Sequence, residues 1–341
     1  RVWLGSTWCF GIQGSKPFRY NQDAARLMDE VIRLCEERGI AIKVCLGNKY
    51  EPYFGKNGGP FKGVNSREAF LTGERAKKQW KALQRYCVAR FGASTSIFAW
   101  ELWNEMGHTF GHKYRPQLNR WTEEMCGHLK QADPYGHLTT NSTGSTVQEY
   151  DLYGQPSVDF TQYHDYGGGR YPGKAQYEVY TEPLRELRSI GKPVLLAECG
   201  LVKKDWGNFP ATHPGKYPDH PKDKAGYAFH EALWTGFFAG GAGTGMHWWW
   251  NMMTEDWNYY GQFDAFAAFV QDIPLNEAPL PPASGSVRPE RLRCFVRQND
   301  RYAIAWVVNT DDRWWNLVMK DQDPDRVTGA RLSLKNLADG A

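Results

Sequence analysis

The sequence predicts an α/β fold, a closed (β/α)8 barrel followed by a small, incomplete β-sandwich. Three observations predict it. Apolar strand-like runs alternate with segments of helical periodicity through residues 1–278, which favours parallel strands with helices outside. Two of those runs end in a lone glutamate, Glu105 and Glu198, as expected at the carboxyl ends of barrel strands. Short alternating runs with turn signals follow after residue 286, which is typical of a sandwich.

The predicted barrel elements follow one another along the chain. Strands are predicted at 1–4, 40–46, 97–105, 138–142, 158–164, 193–198 and 245–250. Helices are predicted where apolar residues recur three and four positions apart, at 21–38, 75–90, 118–129, 177–190 and 225–238, and Gly39 should end the first helix. Seven strands are one short of a barrel, and the chain opens in mid-strand at Arg1. We therefore expect the first strand, and any domain or signal peptide before it, to lie outside this sequence.

A proline-rich stretch divides the predicted domains. Residues 1–278 form the catalytic domain, 279–286 the linker and 287–341 the partial β-sandwich. Within the sandwich, strands are predicted at 293–297, 302–309, 314–319 and 330–334.

Composition narrows the range of possible functions. The net charge is +3 with no run of like charge, so a duplex nucleic acid or an anionic membrane is not indicated as a partner. Seven scattered cysteines without a C-x-x-C spacing indicate buried thiols and neither a zinc site nor a disulfide framework. Aromatic residues make up 15% of the chain, with fifteen tryptophans, and tryptophan-lined clefts suit the flat faces of sugar rings.

The two strand-end glutamates indicate the chemistry. A buried carboxyl group is costly unless it is hydrogen-bonded or protonated, so Glu105 is a candidate for proton transfer. Glu198 ends a matching apolar run, which Gly200 should terminate. Cleavage of a glycosidic bond needs one carboxylic acid and one carboxylate. A single strand-end glutamate is more often a solvated or salt-bridged residue, but the pair favours a retaining glycosidase with carboxyls about 5 Å apart.

Four runs carry a family resemblance: FAWELWNE, QYHDYG, PVLLAECG and AGTGMHWWWN. They resemble the clan A glycoside hydrolases, nearest to the cellulase-like family five. The resemblance implies that Glu105 is the acid/base, that Glu198 is the nucleophile and that Asn104 holds the 2-hydroxyl of the reacting sugar. It also implies substrate-site roles for His164 and Tyr166 at the end of the sixth strand, for Arg1 beside the nucleophile and for one of Trp248, Trp249 and Trp250 as an aromatic platform.

Two further candidates complete the substrate site. Trp3 is an aromatic candidate on the first visible strand, and Asn48 stands where many members of that family have a histidine after the third strand. His108 and His112 are four residues apart, but Gly107 and Gly111 favour a loop, so no metal is predicted. No cofactor is predicted.

The sequence thus predicts a secreted, bacterial, retaining endo-glycanase that cleaves a β-1,4-linked mannan or glucan, as a monomer or weak oligomer. Two alternatives stay open. One is an exo-acting β-glycosidase of the same clan, because loop lengths decide between a groove and a pocket. The other is a non-catalytic carbohydrate-binding barrel, which would be expected to lose one glutamate, whereas both are present.

Overall fold

The computed structural model describes residues 1–5, 11–14, 16–48, 61, 63–144, 149–167, 171, 173–201, 223–248, 250 and 254–338. The chain divides into two compact units, Arg1–Gln162 and Tyr163–Ala341.

The first unit is built on a parallel sheet. Its strands are hydrogen-bonded in the order β1-β2-β3-β4, namely Val2–Trp3, Ile42–Asn48, Ile97–Asn104 and Leu138–Thr140. All three neighbouring pairs are parallel. The helices are α1 (Gln22–Glu37), α2 (Arg67–Thr72), α3 (Glu74–Phe91), α4 (Met106–Phe110), α5 (Arg115–Ala132) and α6 (Tyr150–Tyr153). The predicted α/β class with parallel strands is confirmed.

Local sequence explains where α1 begins and ends. The Asn21 side chain accepts the backbone N–H groups of Asp23 and Ala24, which caps the first turn. Gly39 follows the last turn with φ of +65°, a left-handed conformation that glycine adopts at little cost. The prediction that Gly39 ends this helix is confirmed.

An aromatic core fixes the position of β3. The rings of Trp80 and Trp103 lie 5.4 Å apart, and Phe70 packs edge-on against both. A Cβ atom at Gly47 would lie 2.7 Å from each of the two tryptophans, so β2 can approach them only with a glycine at this position. Trp80 and Trp103 are fully buried, so these two indoles serve packing.

The second unit opens within β5 (Thr161–Gly167), which pairs with β6 (Val194–Leu201). Its helices are α7 (Gln176–Arg188), α8 (Tyr227–Phe238) and α9 (Tyr260–Val270). The prediction that Gly200 ends the strand is wrong. β6 runs on to Leu201 in its sheet with β5. The segment 246–248 lies alongside it at Cys199: the Cys199 N–H donates to the Met246 carbonyl, and the Trp248 N–H donates to the Cys199 carbonyl. The strand predicted at 245–250 appears as one parallel bridge, between Cys199 and His247.

Antiparallel strands follow in the same unit. They are β7 (Pro282–Ala283), β8 (Gly285–Arg288), β9 (Leu292–Gln298), β10 (Ala303–Asn309) and β11 (Arg331–Leu334), paired in the orders β10-β9-β7 and β11-β8. The strands predicted at 293–297, 302–309 and 330–334 are confirmed. The stretch predicted as a linker, 279–286, contains β7 and the start of β8, and the division into domains stays a prediction.

The strand predicted at 314–319 is wrong, because Trp315–Met319 forms a short π-helix. Trp314, the residue before this helix, is held by hydrogen bonds to a side chain and a backbone carbonyl instead of by a neighbouring strand. The Trp314 backbone N–H donates to the Glu231 carboxylate (2.7 Å), and its indole donates to the Lys174 carbonyl (3.1 Å). The first of these bonds satisfies the backbone donor of Trp314, which a sheet partner would otherwise have taken.

The strands β9 and β10 pack on α8 in one buried cluster. Phe295 and Trp306 from the strands lie with Phe229, Leu233 and Phe238 of the helix. Trp306 stacks on Phe295 at 5.2 Å and lies 6.1 Å from Phe238. The second unit therefore has a core shared by its helices and its antiparallel strands.

We expect Trp306→Ala to lower the free energy of unfolding by about 3–5 kcal/mol, the usual cost of emptying a buried tryptophan site. Val307 is the next residue on β10 and is 41% exposed, so Val307→Ala should have little effect. Calorimetric unfolding, with amide hydrogen exchange in α8, measures both. If Trp306→Ala left α8 as well protected as in the wild type, the strands would fold independently of the helix.

Candidate active site

Glu105 lies directly after β3 with an unusual backbone. Its φ and ψ are both 54°, the left-handed region, and it is buried with 3% of its surface exposed. A non-glycine residue held there costs about 1–3 kcal/mol and persists only where its surroundings enforce it. The Glu105 N–H donates to the Ser142 hydroxyl at 2.9 Å, just past the end of β4. Strain of this kind at a buried acid is a mark of functional sites.

The Asn104 amide is oriented by two neighbours. Its Oδ1 accepts from Arg1 Nη2 at 2.6 Å, and its Nδ2 donates to the Asn48 Oδ1 at 3.3 Å. Because a guanidinium only donates, the amide oxygen must face Arg1. The predicted site residues Arg1, Asn48 and Asn104 therefore form one hydrogen-bonded group in the first unit.

Glu101 is a member of this group that sequence reasoning missed. Its carboxylate is fully buried and accepts from Arg1 Nε (2.8 Å) and Nη2 (2.5 Å), and Lys43 Nζ lies 3.2 Å away. Burial, only partly offset by Glu101, lowers the pKa of Lys43 to about 8. The sequence did contain a signal, because Glu101 is a charged residue in the middle of the apolar run 97–105. A buried carboxylate needs cationic or hydrogen-bonding partners.

Glu198 lies within β6 in the second unit and is also almost fully buried. The Tyr166 hydroxyl donates to its Oε1, and the His164 Nδ1 lies 3.5 Å from its Oε2. Asp165 points elsewhere, accepting the Tyr163 hydroxyl and the Tyr166 N–H, each at 2.8 Å. β5 thus presents His164 and Tyr166 together to one carboxylate, and the role predicted for Arg1 beside it stays a prediction.

Cys199, the residue after Glu198, serves packing. Cys199 is fully buried, its Sγ lies 3.2 Å from the Met246 carbonyl oxygen, and burial raises the pKa of its thiol. The prediction that Cys199 packs is confirmed.

The tryptophans predicted to contact sugar differ in exposure. Trp248 is half-buried, and Trp250 is 57% exposed. Trp249 lies outside the described residues. Trp3 is 5% exposed, with the Arg1 guanidinium 5.6 Å from its ring centroid, so it supports Arg1, and its contact with sugar stays a prediction.

His108 and His112 do not share a helix. α4 ends at Phe110, and Gly111 follows with φ of +80° before a 3-10 turn at His112–Tyr114. The predicted break at Gly111 is confirmed, whereas Gly107 lies within α4. The paired-histidine spacing therefore does not produce the helical ligand pair that zinc sites use.

His247 is buried beside β6, and its ring meets the Phe229 ring edge-on at 5.2 Å. Neither ring nitrogen has a hydrogen-bond partner in the described part of the chain. Burial lowers its pKa to about 3. The folded state therefore holds a neutral imidazole, which an unfolded chain would protonate below about pH 6.5.

We expect His247 to contribute to acid denaturation. Its folded pKa is depressed, so stability is lost as pH falls from about 6.5 towards about 3, where the unfolded state binds the extra proton. His247→Leu should remove this part of the pH dependence, measured as the free energy of unfolding in urea between pH 7 and pH 4. Exposed His112→Gln is the control, and an unchanged acid slope in His247→Leu would contradict the prediction.

A family described as Cellulase (glycosyl hydrolase family 5) matches residues 3–231. The chain belongs to glycosyl hydrolase family 5. Membership implies the (β/α)8 barrel, to which the parallel strands conform. No helix in the described ranges is both long and apolar enough to cross a membrane.

The most similar relatives include fungal and plant proteins. One is a probable mannan endo-1,4-beta-mannosidase A of Aspergillus oryzae, 25% identical over 228 residues, which are 57% of this chain and 56% of that protein. Another is mannan endo-1,4-beta-mannosidase 8 of rice (Oryza sativa subsp. japonica), 27% identical over 246 residues, 58% of this chain and 66% of that protein. The chain spans little more than half the length of the first of these.

Solved structures are similar at lower identity. The endo-1,4-beta-mannanase from Rhizomucor miehei matches with 18% identity and a TM-score of 0.41, over 51% of this chain and 58% of that one. The exo-beta-1,4-mannosidase from Opitutaceae bacterium strain TAV5 matches with 16% identity and a TM-score of 0.48, over 69% of this chain and 42% of that one.

Proposed function

We propose that the protein is a retaining, endo-acting glycoside hydrolase that cleaves a β-1,4-linked polysaccharide of the mannan or glucan type, with mannan as the leading substrate. The observation that carries the proposal is the buried Glu198 carboxylate of β6, which accepts a tyrosine hydroxyl and lies beside a histidine, both presented by β5. Membership of family 5 supports the same chemistry. Mannan leads because several relatives are named mannan endo-1,4-beta-mannosidases.

In the first proposed step, the Glu198 carboxylate attacks the anomeric carbon while the Glu105 carboxylic acid protonates the departing glycosidic oxygen. The C–O bond to the leaving sugar breaks, and an ester bond to Glu198 forms. In the second step, the Glu105 carboxylate takes a proton from water, which attacks the anomeric carbon and releases Glu198. This mechanism requires the two carboxyl groups to be about 5–5.5 Å apart.

The neighbours of each glutamate have separate tasks in this proposal. The Tyr166 hydroxyl and His164 orient the Glu198 carboxylate for attack. Asn104 would hold the sugar 2-hydroxyl, and the bonds from Arg1 and to Asn48 fix its orientation beforehand. Trp248, Trp249 and Trp3 are the proposed aromatic contacts to the sugar rings.

Three finer features belong to the same proposal. The eight-stranded barrel and the C-terminal β-sandwich complete the architecture. The enzyme acts outside the cell, because a polymeric substrate does not cross membranes. The polysaccharide is its partner, and no cofactor is required by a mechanism that two carboxyl groups perform.

A panel of soluble β-glycans and aryl glycosides, with products separated by size, tests the proposal. A ladder of oligosaccharides from mannan is the expected result. Monosaccharide as the sole early product would assign an exo-acting enzyme instead. Binding of mannan with no cleavage of any substrate would assign a non-catalytic carbohydrate-binding protein.

A further inference from the structure

The residues that follow β4 line up with the start of α4. The first N–H groups of a helix have no partner within it and need acceptors from elsewhere. Three successive N–H groups find them here. Glu105 N–H donates to the Ser142 hydroxyl (2.9 Å), Met106 N–H to the Ser142 carbonyl (2.8 Å), and Gly107 N–H to the Thr143 carbonyl (3.1 Å).

The Ser142 hydroxyl is itself oriented by a charge. It lies 2.7 Å from Glu101 Oε1 and 3.0 Å from the Trp103 carbonyl, and it has one proton to give. The carboxylate is the nearer acceptor, and hydrogen bonds to charged groups are the stronger ones. Because the hydroxyl donates its hydrogen bond to Glu101, one of its lone pairs faces the Glu105 N–H. Arg1 and Lys43 hold Glu101 in place in turn.

The close approach at α4 depends on a glycine. A Cβ atom at Gly107 would lie 2.4 Å from the Thr143 carbonyl oxygen, which no side chain tolerates without displacement of the backbone. The bonds and the glycine together enforce the left-handed conformation of Glu105. Without them the backbone would relax to a conformation of lower free energy. Relaxation would swing the Cα–Cβ bond and carry the carboxyl group with it.

We propose that Ser142 is a positioning residue for the acid/base: its hydroxyl, oriented by Glu101, and its carbonyl hold the Glu105 backbone so that the carboxyl group meets the glycosidic oxygen. This inference rests on the proposed function, in which Glu105 is the proton donor. In the sequence, Ser142 stood only as the last residue of the strand predicted at 138–142.

The test is how the loss of activity in Ser142→Ala depends on the leaving group of the substrate. An aryl glycoside with a strongly acidic phenol, such as a 2,4-dinitrophenyl glycoside, departs without protonation, whereas a sugar leaving group needs the acid. In Ser142→Ala, kcat on polysaccharide should fall by about tenfold to 100-fold, the scale expected when a catalytic group is misplaced. The pre-steady-state burst of dinitrophenolate should stay within about twofold of wild type.

Three further variants separate positioning from general loss of stability. Ser157→Ala removes a comparable hydroxyl, which donates to Glu123 at 3.0 Å, and should leave both activities at wild-type values. Gly107→Ala should reproduce the selective loss of Ser142→Ala by displacing residues 142–143. Gly127→Ala, in the middle of α5, is its control.

The outcomes distinguish this inference from the proposed function. Equal losses on both substrates in Ser142→Ala, or no loss on polysaccharide, would overturn the positioning role. If Glu105→Ala itself kept its activity on polysaccharide, the proposed function would be wrong. If Glu105→Ala lost activity while Ser142→Ala and Gly107→Ala kept it, the proposed function would stand and this inference alone would fail.

Discussion

Glu198→Gln is expected to lower kcat by roughly 10⁴-fold or more, the scale seen when a covalent nucleophile is removed. The amide has nearly the shape of the carboxylate and can still accept the Tyr166 hydroxyl, but it has no charge with which to attack the anomeric carbon. Oligosaccharide binding should survive, because the substitution leaves the surrounding contacts in place. Release of reducing ends measures the rate, and calorimetric titration measures the dissociation constant.

The matched control is Glu182→Gln, an exposed glutamate on α7 that pairs with Arg185. It should retain the wild-type rate. A second measurement identifies the nucleophile directly, since a 2-deoxy-2-fluoro glycoside with a good leaving group should add one sugar mass to the peptide that contains Glu198. Labelling of another peptide, or a normal rate in Glu198→Gln, would disprove the assignment.

Glu105→Ala is expected to lower kcat on polysaccharide by about 10²–10⁴-fold, the usual contribution of general acid–base catalysis. Formation of the glycosyl-enzyme from a dinitrophenyl glycoside should be nearly unaffected, because that leaving group needs no proton. Its hydrolysis should stall, because water then lacks a base. Azide needs no base, so added azide should speed turnover and yield a glycosyl azide of retained configuration.

Glu124→Ala, on α5 beside Lys77 and Lys81, is the control for this series and should behave as wild type. Equal losses on both classes of substrate, without rescue by azide, would show that Glu105 has another role. The two variants therefore assign acid/base and nucleophile independently of each other.

Much of the fold could be predicted from local pattern. The apolar runs at 97–105 and 193–198 became β3 and β6, because a run that buries both faces is stable only inside a sheet covered on both sides. Asn21 and Gly39 set the ends of α1 through contacts within a few residues. The proximity of Tyr166 to Glu198 also followed, because family resemblance placed both at strand ends.

Other features could not be predicted, because they depend on contacts between distant parts of the chain. The extent of β6 past Gly200 depends on its pairing with β5, and the start of the helical turn at Trp315–Met319 depends on a carboxyl group of α8. Sequence pattern reports the faces that a segment buries, but it does not report which partner will satisfy its backbone.

The sequence by itself determined which polar side chains are candidates for the site: the acids Glu105 and Glu198 in two apolar strand-like runs, and the amide Asn104 beside the first. The tertiary structure alone decided how they are held. It placed the Ser142 hydroxyl, oriented by Glu101, against the Glu105 N–H and so imposed a left-handed conformation that no local preference of glutamate favours. The physical reason is that strain of this size persists only when hydrogen bonds from elsewhere in the fold outweigh it.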